Sequence, residues 1–120
     1  MWPISTTGDF DAWFEALGSP EQAEIIAVVR LLKIYGPRLP RPHAGTLKGS
    51  KHANMKELRA ATPDAVLRVA FAFDPERAGI LLCAGNKQGV NQRRFYRRLI
   101  EQADALYDAH LASLEKKRRR

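Results

Sequence analysis

Residues 66–74, VLRVAFAFD, alternate in the way typical of a β-strand that buries one face. Side chains two residues apart share a face of a strand. The large apolar residues on one face are Leu67, Val69, Phe71 and Phe73, and those on the other are Arg68, Ala70, Ala72 and Asp74. The first set predicts a core. The second, with alanines beside an arginine, predicts an open face with a shallow space for a ligand.

Two shorter strand patterns flank this one. In residues 55–59, Leu58 is the natural core residue, while Met55, Glu57 and Arg59 face outward. A Pro-Asp turn follows, and a second turn at 75–78 precedes the strand pattern of residues 79–84. Short turns between strands predict a small antiparallel sheet. Arg59 and Arg68 then share its open face, and a basic face suits an anion.

The N-terminal third predicts helices. Trp2 and Ile4 give a weak signal for a short first strand, and residues 9–17 predict a short helix that ends at Gly18. Ser19 is positioned to cap a second helix, whose apolar stripe at positions 25, 28, 29, 32 and 35 runs up to a glycine. Two successive amphipathic helices predict an antiparallel hairpin that rests on the sheet.

Residues 36–54 hold three prolines, three glycines and four basic residues, which predicts an irregular connector, either functional or merely solvated. A long helix is predicted from about Asn91 to Leu114, with a basic and aromatic beginning. The expected fold is therefore α+β, a small twisted antiparallel sheet packed on an N-terminal helical hairpin, with a C-terminal helix. We expect one domain at 1–115 and a basic tail at 116–120.

The formal net charge of +7 favours a polyanionic partner, because clustered Lys and Arg side chains attract and neutralise phosphates. Residues 1–35 carry two basic and five acidic side chains, a net −3, which leaves +10 for the rest.

The single cysteine, Cys83, forms no internal disulfide, and no apolar run approaches the ~20 residues that span a bilayer. We therefore expect a soluble cytoplasmic protein with no membrane contact.

Recognised motifs for cofactors and metals are missing from the sequence. There is no glycine-rich phosphate loop, zinc-binding spacing or nucleophilic triad, and His43, His52 and His110 are scattered. We expect no metal and no cofactor. Arginine, lysine, tyrosine and glutamate on a sheet face can still cleave RNA, because the 2′-OH supplies the nucleophile and cations stabilise the charge on the phosphate.

Four segments carry a family resemblance: LKGSKHANMKELR, LRVAFAFD, ILLCAGNKQG and RRFYRRLIEQADALYDAHL. Their order resembles the RelE/HigB superfamily of bacterial type II toxins, and more narrowly its phage-derived HigB-like branch. The resemblance covers residues 2–114. It implies the RelE-like fold and a ribosome-dependent endoribonuclease that cuts mRNA and leaves a 2′,3′-cyclic phosphate. The implied partners are the ribosome, mRNA and a cognate antitoxin, often a helix-turn-helix HigA-like protein, with DNA bound only through the antitoxin.

The resemblance also assigns residues. Arg68 matches the arginine that contacts the scissile phosphate, Lys87 the basic residue after the last strand, and Tyr96 an aromatic that stacks on a base or assists proton transfer. Arg59 matches the arginine that closes the first of these strands. Relatives have lysines where this chain has Met55 and Glu57, so the general base is left open. The candidates for it are Glu57, Lys48 and Lys51.

Further RNA contacts are expected from basic residues of the connector, the first strand and the last helix. These are Lys48, Lys51, Lys56, Arg93 and Arg94. Each assignment has a plainer alternative: Arg59 and Glu57 could form a cross-strand salt bridge, and Tyr96 could simply cover the sheet edge.

Two other functions fit the same fold. One is a ParE-like gyrase inhibitor without RNase activity, and the other is an inactive toxin that acts only in a repressor complex with its antitoxin. The presence together of Arg68, Lys87 and Tyr96 favours RNA cleavage, because a protein that only binds has no need of all three.

Overall fold

The computed structural model describes residues 1–119, which contain five strands and three α-helices. The helices are α1 (Gly8–Glu15), α2 (Ser19–Tyr35) and α3 (Gln92–Arg118), and a 3-10 turn, Gly36–Arg38, follows α2. The strands are β1 (Ile4–Thr6), β2 (Ala44–Thr46), β3 (Lys56–Thr62), β4 (Ala65–Phe73) and β5 (Gly79–Asn86). The predicted α+β fold, with N-terminal helices, a sheet and a long last helix, is confirmed.

The strands form one sheet in the order β1-β5-β4-β3-β2. β3 and β4 pair antiparallel from Lys56 opposite Phe71 to Thr62 opposite Ala65, so only the predicted Pro-Asp pair lies between them. β4 and β5 are also antiparallel. β1 is the exception, because it pairs parallel with the start of β5. The sheet is thus mostly antiparallel.

The sequence gives little sign of β2, which lies inside the segment predicted to be irregular. It has three residues, one of them Gly45, and prolines precede it, so no alternating pattern can develop. Its antiparallel pairing with β3, Ala44 opposite Leu58, is what makes it a strand. The prediction of an irregular connector was therefore wrong at residues 44–46.

The helical hairpin covers one face of the sheet. Buried residues of α1 and α2 pack against alternate residues of the strands, as the sequence predicted. This core includes Phe10, Ile25, Val28, Leu32, Leu58, Leu67, Val69 and Phe71. Burial of each such side chain contributes about 1.5–3 kcal/mol. The stripe on α2 ends one turn earlier than predicted, since Tyr35 is 52% exposed.

The second face of the sheet is mostly closed rather than open. Ala70 and Ala72 have no exposed surface and lie in a core with Leu99, Ala103 and Tyr107 of α3. Small side chains let the helix approach the sheet, so the alanines make room for α3 and not for a ligand. Met55, predicted to face outward, is buried in the same core.

The helix ends partly follow the predicted caps. α2 begins after Gly18 with no side-chain cap, so the prediction that Ser19 caps it was wrong. The Gln22 side chain instead donates to the Phe14 carbonyl of α1 at 3.0 Å. α3 is capped by the Asn91 side chain and runs to Arg118, four residues past the predicted end. Of the predicted basic tail, Arg120 lies outside the described residues.

In the described part of the chain, no helix combines the length and the apolar character that crossing a bilayer requires.

Candidate active site

Five polar side chains meet where α3 begins to cross the second face of the sheet. β3 contributes Glu57 and Arg59, which share a face because they are two residues apart. β4 contributes Arg68, whose Cα is paired with that of Arg59. Tyr96 comes from the first turns of α3, and Lys87 from the loop before it. These five residues are called the Glu57 cluster.

Glu57 is at the centre of the cluster and only 4% exposed. Its Oε1 accepts a hydrogen bond of 2.9 Å from the Tyr96 hydroxyl. Its Oε2 accepts bonds from Nε and Nη2 of Arg59 at 3.2 and 3.1 Å. The salt bridge considered as an alternative therefore exists, but within β3 and not across strands. A carboxylate this buried requires such partners, because desolvation of an unpaired charge is costly.

Arg68 lies between Glu57 and Tyr96. Its Nε is 3.6 Å from Glu57 Oε1 and donates to the Tyr96 hydroxyl at 3.3 Å. Its Nη1 donates to the carbonyl of Leu67 at 2.9 Å. A guanidinium has five N–H groups. Within residues 1–119 these contacts leave several of them available for the oxygens of an anion.

The cluster shifts two proton equilibria. Burial raises the pKa of Tyr96, and its hydrogen bond to Glu57 adds to this effect. The phenol therefore stays protonated at neutral pH and serves as a donor. Partial burial and the nearby Arg68 charge lower the pKa of Lys87. Its ammonium lies 5.4 Å from the centre of the Tyr96 ring and gives up its proton more easily than an ordinary lysine.

Two lysines predicted as site residues lie elsewhere. Lys56 is on the opposite face of the sheet, where its Nζ donates to the carbonyl of Pro37 at 3.0 Å. Lys51 forms an ion pair with Asp108, which raises the pKa of its ammonium. Asp108 lies twelve residues after Tyr96 on α3, about 18 Å along the helix axis. Lys51 therefore lies too far from the Glu57 cluster to act there as the general base.

The remaining predicted residues surround the cluster without joining it. Lys48 is exposed and precedes Gly49, which faces Ile100 one turn beyond Tyr96. Arg93 and Arg94 are exposed at the start of α3. Arg94 lines an open groove of about 410 Å³ beside the end of β5.

Two residues without a predicted role, His43 and Gly45, border the other side of the cluster. A groove of about 380 Å³ is lined by His43 together with Arg59 and Arg68. Gly45 of β2 faces Arg59 so closely that a Cβ there would lie 2.9 Å from Nη2. Only the pairing of β2 with β3 brings these residues here, and the short β2 segment carried no pattern that could have revealed it.

Residues 12–108 match the family described as "Phage derived protein Gp49-like (DUF891)". The chain belongs to this family. It is 41% identical over 103 residues to "Putative toxin HigB3" of Mycobacterium tuberculosis, which covers 86% of this chain and 88% of that protein. It is 39% identical over 105 residues to "Putative toxin HigB2" of the same organism, covering 87% of this chain. The aligned part is only 52%, about half, of the length of that second relative.

Two solved structures share the fold. The archaeal RelE–RelB complex from Pyrococcus horikoshii OT3 matches with a TM-score of 0.54 and 15% identity, over 74% of this chain and 98% of that chain. A mutant of the E. coli toxin RelE in the free state matches with a TM-score of 0.56 and 10% identity, over 82% and 93%. At such low identity these likenesses establish the RelE-like fold alone, as the sequence resemblance implied.

Proposed function

We propose that this chain is the toxin of a type II toxin-antitoxin system, a ribosome-dependent endoribonuclease that cuts mRNA without a metal ion. The observation that carries the proposal is the Glu57 cluster, in which three cationic side chains and a protonated tyrosine surround one carboxylate. The similarity of the chain to the HigB-named proteins, and of its fold to that of RelE, supports the same function.

Arg68 and Arg59 hold the scissile phosphate in this proposal. The 2′-oxygen of the preceding ribose attacks phosphorus while the bond from phosphorus to the 5′-oxygen breaks, which gives a 2′,3′-cyclic phosphate and a free 5′-hydroxyl. Negative charge grows on the phosphate oxygens during the attack. Guanidinium groups already fixed in place stabilise this charge without reorganising, and that is the largest contribution such a site makes.

Tyr96 and Lys87 carry the proton transfers. The raised pKa of Tyr96 keeps its phenol protonated, and when substrate binds its single O–H turns from Glu57 Oε1 to the departing 5′-oxygen and donates its proton there. Lys87 is assigned as the acceptor for the proton of the 2′-hydroxyl, because its ammonium lies beside Tyr96 and its pKa is lowered by partial burial and by the Arg68 charge. Glu57 then serves to orient Tyr96 and Arg59, since both of its oxygens already accept hydrogen bonds.

Primer extension on an mRNA in a translating extract tests the proposal. The wild-type chain should produce cuts within codons that require ribosomes, and Arg68→Ala should remove them. Arg30→Ala is the matched control, because Arg30 is an exposed arginine on α2 and should leave cutting unchanged. Equal cutting of free RNA would contradict the need for ribosomes. DNA breaks without RNA cuts would favour the gyrase-inhibiting alternative.

A cognate antitoxin is the proposed partner, of the helix-turn-helix type, with DNA reached only through it. The support is the HigB-named relatives and the related fold of RelE in its complex with RelB. The proposed action on ribosomes places the protein in the cytoplasm. If no cutting occurs and the chain only enhances binding of the antitoxin to DNA, it acts as an inactive toxin in a repressor complex.

A further inference from the structure

A second basic and aromatic surface lies at the far end of the sheet from the Glu57 cluster. It is an open groove of about 470 Å³ beneath the end of α2 and the turn between β4 and β5. Its lining residues are Trp2, Ile34, Tyr35, Pro37, Arg38 and Arg77, and they are called the Trp2 groove. We propose that the Trp2 groove binds single-stranded RNA, with phosphate on its two arginines and an unpaired base stacked on the exposed ring of Tyr35.

The groove is too far from the Glu57 cluster to share a phosphate with it. Trp2 packs edge-on against Phe73, the last residue of β4, with ring centres 5.4 Å apart. Phe73 lies five residues beyond Arg68 along the same strand, a distance of about 17 Å. Phe73 also faces the helical hairpin, while Arg68 is on the opposite face. RNA in the groove would therefore be a separate contact that leaves the Glu57 cluster free.

The two arginines are free to bind an anion. Arg38 and Arg77 are both exposed, and neither forms an ion pair with a carboxylate in the part of the chain that the structure describes. Arg77 has a left-handed backbone with φ 64°, which costs any residue with a Cβ free energy. Its guanidinium lies 5.5 Å from the centre of the Trp2 ring. The left-handed residue belongs to the tight turn between β4 and β5, which the bonds from Arg77 N–H to the Asp74 carbonyl and from Asp74 N–H to the Ala78 carbonyl close.

The aromatic part of the groove is already formed. Trp2 packs so tightly on Gly36 that a Cβ there would lie 2.4 Å from the indole nitrogen. Its backbone N–H also donates to the carbonyl of Lys33 at 2.8 Å. Tyr35 is 52% exposed beside it. An exposed ring next to arginines, as Tyr35 is here, is an arrangement by which proteins hold single-stranded nucleic acid, because every base has a face that can stack.

The same features favour RNA over an acidic protein as the occupant. Carboxylates would satisfy the arginines but would leave the exposed ring of Tyr35 without a stacking partner. The identity of the ligand as RNA, rather than another single-stranded nucleic acid, rests on the proposed function. The binding site does not, because it follows from the geometry of the groove alone.

Fluorescence anisotropy with a short labelled 2′-O-methyl RNA oligonucleotide tests the inference, since this probe has no 2′-hydroxyl and cannot be cut. Arg38→Ala/Arg77→Ala should weaken binding about tenfold and lower the salt dependence by about two phosphate contacts. Arg30→Ala/Arg119→Ala is the control, with the same loss of charge on other exposed surfaces. Arg77→Gly, which relieves the left-handed backbone, guards against a folding defect and should also weaken binding.

Stacking is tested separately at Tyr35. Tyr35→Leu should weaken binding of the single strand about fivefold or more. Tyr35→Phe keeps an aromatic ring and should bind as the wild type does. A duplex of the same sequence should bind little to either variant. Equal losses in the two double-arginine variants, no effect of Tyr35→Leu, or equally effective competition by polyglutamate would each overturn the inference. If the wild-type chain bound the oligonucleotide in the Trp2 groove but did not cut mRNA, only the proposed function would be contradicted.

Discussion

The two ends of the interface between α3 and the sheet differ in their balance of positive and negative side chains. Near Tyr96, the Glu57 cluster sets three cationic side chains around one carboxylate. Near Tyr107, each carboxylate has its own partner, and this second set is called the Tyr107 region. Its pairs are Asp74 with His110, Asp104 with Ser50, and Asp108 with His52 and Lys51.

This difference suits the Glu57 cluster to binding an anion and the Tyr107 region to stabilising the fold. Cations held close together repel one another, so an excess of them costs stability unless an anion arrives. The Tyr107 region has no such excess, and it fastens the connector and the turn between β4 and β5 to the middle of α3. It therefore explains why α3 stays docked and why Tyr96 remains aligned with Glu57.

The largest expected effect comes from removing the hydroxyl group of Tyr96. Tyr96→Phe removes the proposed proton donor and should lower the rate of mRNA cutting by about 10²-fold or more, because general acids contribute at least that much. The change should also cost about 1–3 kcal/mol of stability, because the buried Oε1 of Glu57 loses a hydrogen bond while the ring still packs on Phe95. The rate is measured by quantitative primer extension and the stability by thermal unfolding.

Tyr107→Phe is the matched control. Its hydroxyl bonds to the carbonyl of Phe73 at 3.4 Å and to Asn54 at 3.2 Å, outside the Glu57 cluster. The change should cost about 1 kcal/mol of stability and leave the cutting rate of the folded protein unaltered. If both variants lost the same activity, the division between the two ends would be wrong.

Asp74→Ala should have the next largest effect, and on stability alone. Asp74 accepts hydrogen bonds from His110 at 2.7 Å and from the N–H groups of Glu76 and Ala78. The loss should cost about 2–4 kcal/mol in urea unfolding. Asp64→Ala, at an exposed turn position, should cost almost nothing. A cost no larger than that of the control would show that Asp74 does not fasten the turn.

The pH dependence of unfolding should reveal the same group. Burial acts to raise the pKa of Asp74, but hydrogen bonds from His110 and the backbone outweigh it, so the folded pKa is lowered from 3.8. A lowered folded pKa gives stability that is present above the unfolded pKa and is lost as the pH falls through the folded value. Wild-type stability should therefore fall below about pH 4 more steeply than that of Asp74→Ala. Parallel curves would contradict this.

The smallest effect is expected at Gly45, beside the Glu57 cluster. Gly45→Ala pushes a methyl group against Arg59 and should lower cutting about tenfold by displacing one phosphate contact, in line with the cost of small misplacements in active sites. Gly8→Ala is the control, because a Cβ at Gly8 would meet nothing within 4 Å. Unchanged cutting in Gly45→Ala would mean that the position of Arg59 is not critical.

Local pattern was sufficient for most of the secondary structure. The alternation in β4, the apolar stripe of α2 and the length of α3 are each carried by neighbouring residues, so they can be read from the sequence. β2 could not be predicted, because three residues hold no period and its strand geometry depends on pairing with β3. The Ser19 cap failed for a related reason, since the preceding helix sets where α2 begins and Gln22 bonds to it.

The order of side chains along β3 and β4 determined that Glu57, Arg59 and Arg68 share a face of the sheet, because a strand alternates its faces with period two. It did not determine what covers that face. Only the docking of α3 buries Met55, Ala70 and Ala72 and leaves the Glu57 cluster open. The same docking brings Tyr96 onto Glu57, 39 residues away in the chain, and carries Lys51 out of reach. Contacts between distant segments depend on how whole elements pack, and no local pattern records them.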